Sequence, residues 1–346
     1  MLTRRALVVV AASCLLLGGI GLGVGGMLVF GPNTTPDTPR SVIVPRDASL
    51  DATIDSLQAK DILAMPATFR LLATVTGWGE QIKSGHYRIR GGQSNYHLLD
   101  RLRRGLQDPV RLTIPPGTRP ETMARVVGRR LELTPQSFRT ALRDTSLARE
   151  LGTTPDRLFG YMMPETYDLY WQTSPERVVR RIKESFDRFY ERTLAAGADS
   201  LGLSKQEVVT LASIVEWEAL LDEEKPKIAG VYVNRLRDGW RLQADPTIQY
   251  VLLQTEGERT RRVLYEDLEI DHPYNTYQIR GLPPGPITNP SPSSLRAAVQ
   301  PARHDYYYFA ATGDGGHTFS RTLREHNRAA DKYQRRLEQR AEENSR

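Results

Sequence analysis

Hydrophobic and polar positions divide this chain into stretches of very different character. From Ala6 to Phe30 (ALVVVAASCLLLGGIGLGVGGMLVF) no charged residue occurs, and Arg4 and Arg5 come just before. A bilayer-spanning helix needs roughly 20 apolar residues, whereas the apolar core of a cleaved leader has about 7 to 15. The run therefore predicts an uncleaved single-pass transmembrane anchor over 6–30, with residues 1–5 cytoplasmic and everything after 30 outside the cytoplasm. The next stretch, GPNTTPDTPR at 31–40, is rich in Pro and Thr and predicts an unpacked linker.

Beyond the linker the period changes three times in the same way. In SVIVPRDASLDATIDSLQ, GHYRIRGGQSNYHLLDRLRRG and VRLTIPPGTRPETMARVV, an alternating strand-like run meets a Pro or Gly turn, then a Ser or Thr, then a helical stripe. Leu98, Leu99 and Leu102 form such a stripe, and Thr118 and Glu121 stand at capping-box spacing. These units predict a small α+β module over 41–130, either a folded spacer or a carbohydrate-binding module. From 131 to 346 the pattern predicts a larger mixed α+β domain. Pro175 and Glu176 open a helix with Val178, Ile182, Phe186 and Phe189 on one face, DYYYFAAT reads as a strand, and a charged helix follows residue 322. The fold class is thus α+β in two parts behind an N-terminal transmembrane helix.

Composition narrows the chemistry. The net charge of +6 suits nucleic acid, anionic lipid or an acidic polymer, but an extracytoplasmic location excludes nucleic acid as the expected partner. Cys14 is the single cysteine, so neither an internal disulfide nor a cysteine metal site is expected. The six histidines lack metal-ligand spacing, and no phosphate-binding loop, dinucleotide fingerprint or nucleophile elbow occurs. No cofactor and no metal are expected.

One helix carries an anomaly. Ser204 predicts a cap for a helix over Lys205–Leu221, whose apolar face runs through Val208, Leu211, Ile214 and Val215. The next position on that face is Glu218. Glu216, two residues earlier, points about 200° away, so the two carboxylates cannot share a site as a close pair. Glu216 is expected to face solvent or to play a supporting part. A carboxyl on an apolar face has a raised pKa and suits general acid catalysis. The alternative is a buried ion pair with Arg235 or Arg241.

Several ordered motifs now bear on the choice: GYMMPETY (160–167), LASIVEWEA (211–219), VYVNRL (231–236), RLQADPTIQY (241–250), YNTYQIRGLPPGPITNP (274–290) and GHTFSRTLREHN (316–327). In them the chain closely resembles the MltG (YceG-like) endolytic murein transglycosylases. The resemblance implies a LysM-like module followed by a catalytic domain that cuts inside peptidoglycan glycan strands, leaving 1,6-anhydro-MurNAc ends. It implies that Glu218 is the catalytic acid, with Glu216, Gln243, Asp245, Asn275, Tyr277, Glu165 and His317 as supporting or substrate-binding residues and GLPPGPI as a rigid cleft wall. Asp245 is the best second carboxylate, and its alternative role is a turn-forming Asp before Pro246. Cell-wall synthases or division proteins are the expected protein partners. A non-catalytic glycan-binding scaffold and a muramidase using water remain the competing functions.

Overall fold

The computed structural model describes residues 23, 25–35, 37, 39–257 and 263–344. Most of the expected anchor, residues 6–22 and 24 with Cys14, lies outside the described residues. Among the described residues no helix is long and apolar enough to cross a membrane. The chain divides into two compact units, Met1–Arg111 with Asp168–Gln172 and Leu112–Tyr167 with Thr173–Arg346.

In the first unit, β1 (Arg40–Val44) pairs antiparallel with β2 (Gly85–Ile89), setting Val42 opposite Tyr87. Alternation then turns Val42, Val44, Tyr87 and Ile89 inward together. Helix α1 (Leu50–Gln58) starts where the Ser49 hydroxyl accepts from the Ala52 amide. Helix α2 (Pro66–Val75), which the strand–helix repeat does not predict, opens on a proline and buries Phe69 and Ala73. Helix α3 (Asn95–Arg103), capped by Ser94, buries the expected Leu98, Leu99 and Leu102. These side chains form one core.

The expected linker is partly structured. Asn33 and Thr34 are buried. The Asn33 amide donates to Asn95 Oδ1 at 2.6 Å, its carbonyl accepts from the Met65 amide at 2.7 Å, and Thr34 Oγ1 donates to Arg90 O at 2.8 Å. Short polar side chains here satisfy the buried backbone that a strand ladder would otherwise serve.

The third strand–helix unit passes into the second compact unit after Arg111, so residues 112–130, expected in the small module, group with the larger unit. The turn between β3 (Val110–Thr113) and α4 (Pro120–Arg130) is tied to residues 288–289. Thr118 N donates to Asn289 Oδ1 at 2.9 Å, Thr288 Oγ1 donates to Thr118 O at 2.7 Å, and Asn289 Nδ2 donates to Pro115 O at 3.1 Å. These bonds displace the expected capping box: the cap position is Arg119, without a side-chain bond. Strand β4 (Thr166–Leu169) pairs with β3.

Helix α5 (Pro175–Phe189) buries Val178, Ile182 and Phe186 as expected. The second unit is organised around α6 (Lys205–Glu218), buried on every side from Val208 to Val215. Ser204 and Glu207 form a reciprocal capping box at its start. It packs on α7 (Lys225–Arg237), α8 (Asp245–Glu256) and α9 (Pro292–Val299). Helix α7 has Gly230 where residues 302–304 approach, and a Cβ there would lie 2.6 Å from His304 Nε2. Asn234, one turn on, donates to His304 O and Tyr306 O at 2.9 and 3.0 Å. That docking delivers β5 (Tyr308–Ala311), antiparallel to β6 (His317–Ser320), and the charged helix α10 (Leu323–Asn344) follows.

Replacing Asn33 by Ala removes the acceptor of the Met65 amide and leaves the buried Asn95 Oδ1 without its donor. Chemical denaturation is expected to register a loss of about 1–3 kcal/mol for the first unit. An unchanged midpoint would mean that residues 31–35 are not part of its fold.

Candidate active site

Helix α6 ends earlier than its pattern predicts. Ala219 is extended (φ −94°, ψ 123°), so Glu218 is the last helical residue and Leu220 turns out to solvent. The end of the helix brings Glu218 into a cleft of about 320 Å³ lined also by Tyr232, Arg235, Leu242, Gln243, Asp245, Tyr277, Tyr308, Phe309, Leu323 and His326. All of these belong to the second unit. Tyr232, buried on α7, donates its hydroxyl to Glu218 Oε2 at 3.1 Å.

Glu218 is pushed up to about 8, first by burial and then by the Asp245 carboxylate, against the opposing effects of the Tyr232 hydroxyl and Arg235. The carbonyl end of α6 also disfavours negative charge there. The ion-pair alternative is not realised. Among the described residues no Lys or Arg pairs with Glu218. Arg235 instead donates to Leu242 O at 2.6 Å and Tyr307 O at 2.7 Å. Its charge is committed to backbone, and burial lowers its pKa.

The opposite wall comes from 242–245 and 275–277. Asp245 is the first residue of α8, where the amide end of the helix favours negative charge, so it is not simply a turn former before Pro246. Tyr277 donates its hydroxyl to Asp245 Oδ1 at 2.5 Å. Gln243 has a left-handed backbone (φ 48°), uncommon for a side-chain-bearing residue and more frequent where a site demands it. Its amide donates to Thr276 O at 3.1 Å, and the Ala244 amide donates to Thr276 Oγ1 at 2.9 Å. Asn275 is fully buried and does not line the cleft. It donates to Leu268 O and Ile270 O at 3.0 and 2.8 Å and accepts from the Tyr277 amide at 2.9 Å. It shapes the loop that presents Tyr277.

Glu216 does not face solvent: its side chain is 8% exposed. It accepts from the Ser291 amide at 2.9 Å, from Ser294 Oγ at 2.5 Å and from Lys225 Nζ at 3.3 Å, so it anchors the start of α9 and carries no cleft surface. Glu165 accepts from Ser185 Oγ at 3.2 Å and borders a separate cavity with Arg188, Arg192 and Arg296. His317 Nδ1 lies 2.7 Å from Glu224 Oε2, and its ring meets Phe309 edge-on at 5.3 Å, so it buttresses a cleft residue from behind. GLPPGPI does not border the cleft: Pro284 O accepts from Arg157 and Gln206, and the Ile287 amide donates to Ser213 Oγ.

Of the sequence candidates, then, Glu218, Gln243, Asp245 and Tyr277 come together and the others do not. Tyr232, Arg235, Tyr308, Phe309, Leu323 and His326 were not singled out as cleft residues. Tyr232, Arg235, Leu323 and His326 fall inside the ordered motifs VYVNRL and GHTFSRTLREHN, which was the available signal. His326 stacks on Tyr308 with centroids 5.5 Å apart. Burial and the nearby Arg235 charge lower its pKa, favouring the neutral ring. Among the described residues no His, Asp or Glu cluster could hold a metal ion.

The chain matches the YceG-like family over residues 42–332. It is 30% identical to the endolytic murein transglycosylase of Bacillus subtilis over 90% of this chain and 91% of that protein. The endolytic murein transglycosylase of Streptococcus pneumoniae strain R6 is likewise 30% identical, over 66% of this chain and 46% of its own length. Among solved structures, a YceG-like protein of Listeria monocytogenes superposes with a TM-score of 0.59 at 28% identity, covering 85% of this chain and 99% of that one.

Two outcomes follow from the two glutamates. The folded state holds the Glu218 proton more tightly than the unfolded chain, whose carboxyl keeps its ordinary value of 4.5. Stability associated with this group is therefore full below about 4.5, declines as pH rises and levels off above about 8. Denaturation series across this window should show Glu218→Gln gaining stability relative to wild type as pH rises; parallel curves would refute a raised pKa. Glu216→Ala removes the acceptor of two serines and a buried lysine, and is expected to cost about 2–4 kcal/mol by the same measurement.

Proposed function

Because this chain belongs to the YceG-like family, we propose that it is a membrane-anchored lytic transglycosylase that cuts MurNAc–GlcNAc bonds inside peptidoglycan glycan strands, with Glu218 as general acid and then base. The observation that carries this reading is a carboxyl in no ion pair among the described residues, which burial and the neighbouring Asp245 keep protonated to about pH 8 inside a polar cleft. Such a group donates a proton at the pH where a free carboxyl has already lost it.

The step balances without water. Glu218 protonates the bridging oxygen, the bond from that oxygen to the MurNAc anomeric carbon breaks, and GlcNAc leaves with a free hydroxyl. The carboxylate formed takes the proton of the MurNAc C6 hydroxyl as that oxygen bonds to the anomeric carbon. A 1,6-anhydro ring closes and Glu218 is protonated again. The Tyr232 hydroxyl bond supports the transient carboxylate, and the Asp245 charge supports the cationic sugar between the two steps. Asp245 is also the feature that favours a second reading, a muramidase, since a second carboxylate can activate water.

The rest of the proposal concerns place. The apolar run after Arg4 and Arg5 supports a single-pass anchor over 6–30 with the remainder outside the cytoplasm. The separate core of the first unit supports a self-standing LysM-like module that holds glycan. A secluded wall-cutting enzyme of this kind would work beside cell-wall synthases or division proteins.

Uncrosslinked glycan strands incubated with residues 31–346 should give fragments with anhydro ends by mass spectrometry. Glu218→Gln is expected to reduce the rate at least 100-fold, the contribution typical of a general acid. Activity should also fall as pH rises past about 8, where the acid form is lost. Reducing ends would establish the muramidase instead, and intact strands that still bind would leave only a scaffold.

A further inference from the structure

Beside the cleft stands a partly exposed indole that the proposed chemistry does not use. Trp240 is 43% exposed, on a loop held in place from several sides. Its amide donates to Arg235 O at 2.8 Å. Gly239, in the left-handed region at φ 70°, turns the chain, and Arg280 clamps that turn by donating to Gly239 O at 3.2 Å. The indole meets Tyr307 with centroids 4.9 Å apart at 39° and Tyr308 at 6.1 Å and 67°. Neither ring stacks flat upon it. Tyr307 is itself fixed by donating its hydroxyl to Asp238.

This aromatic group continues into the cleft. Tyr308 lines the cleft and stacks on His326, and Arg235 lies over its ring at 5.3 Å. Along the chain Trp240 is three residues from Gln243, so at most ~11 Å separates its Cα from that of a cleft residue. An exposed aromatic ring held rigid loses little freedom when a ligand covers it. Its electron-rich face attracts weakly positive hydrogens. The C–H bonds on one side of a pyranose ring present such hydrogens, while its hydroxyls point outward to water.

We propose that Trp240, braced by Tyr307 and Tyr308, is an accessory saccharide platform that stacks one pyranose ring of the strand beyond the bond being cut. This rests on the glycan-cleaving reading above and adds to it a residue that selects for strand length. Trp240 acts by holding a distant sugar, so it is a positioning residue, and its removal weakens strand capture more than it slows the chemistry. Short fragments that cannot reach the platform are indifferent to it.

The test uses the full-length chain, with initial rates on long uncrosslinked glycan strands and on short fragments spanning only the cleft. W240A is expected to raise KM for long strands roughly three- to tenfold, the range of one aromatic stacking contact, with kcat within about twofold. W240F should recover most of the affinity and W240L should not, since leucine fills space without a π face. Short fragments should show no difference among the variants. In E218Q, titration with long strands should change the indole emission, and E218Q/W240F should lose that change. Equal KM values across the variants would overturn the platform, as would a fall in kcat at constant KM, which marks a packing role at Tyr308. Anhydro ends from the wild type accompanied by either of these results reject the platform alone, whereas no anhydro ends at all rejects the enzymatic reading itself.

Discussion

The second unit turns on one unfavourable placement, a half-buried carboxyl at the carbonyl end of a helix that makes no ion pair among the described residues. Burial, the Asp245 charge and the helix end all act against ionisation of Glu218. The cost is tolerable because the group can stay protonated. Its surroundings maintain that state. Arg235 lines the same cleft, yet two backbone carbonyls hold its guanidinium and keep it from becoming an ion-pair partner. Had it turned to Glu218, the acid would be an ordinary structural carboxylate.

Glu216 supplies the contrast within the same helix. Its side chain is buried away from the cleft, two serines and Lys225 meet it, and its charge organises the start of α9. About 200° of helical rotation sends the two carboxyls to different neighbours. Those neighbours, more than the glutamates, assign the roles. Of the two expectations for Glu216, solvent exposure and a supporting part, the first does not hold, because Ser291, Ser294 and Lys225 cover its carboxylate; α6 likewise has no solvent side from Val208 to Val215. A one-face reading of its pattern was too narrow, although it selected the carboxyl that reaches the cleft.

The cleft itself gathers groups far apart in the chain. α6 contributes Glu218, α7 contributes Tyr232 and Arg235, the segment before α8 contributes Leu242 and Gln243, α8 itself contributes Asp245, and residues 277, 308–309, 323 and 326 close the rest. Buried polar side chains set these loops against one another. Asn275 fixes the turn that offers Tyr277, Thr276 ties it to Ala244, and Asn234 secures the chain entering β5. Asn275 and Asn234 thus serve the site without lining it, while His317 supports Phe309 from behind.

Local rules settled what depends on neighbours in sequence. The alternation of β1 and β2, the stripe of α3 and the cap at Ser204 all follow from periodicity and end chemistry, whereas the capping box read at Thr118 and Glu121 did not form. The strand–helix–turn units were legible for the same reason. Their division between the two units was not, because it depends on Asn289 bonding to residues more than 170 positions away. The docking of Asn33 and Thr34 in a stretch whose composition predicts a linker has the same origin. Glu218 could be marked as an anomaly from its helix alone, but its partner could not. Sequence pattern specifies which face a side chain takes; only tertiary packing specifies what that face meets, and so whether a carboxyl stays protonated, as at Glu218, or ties neighbouring elements together, as at Glu216.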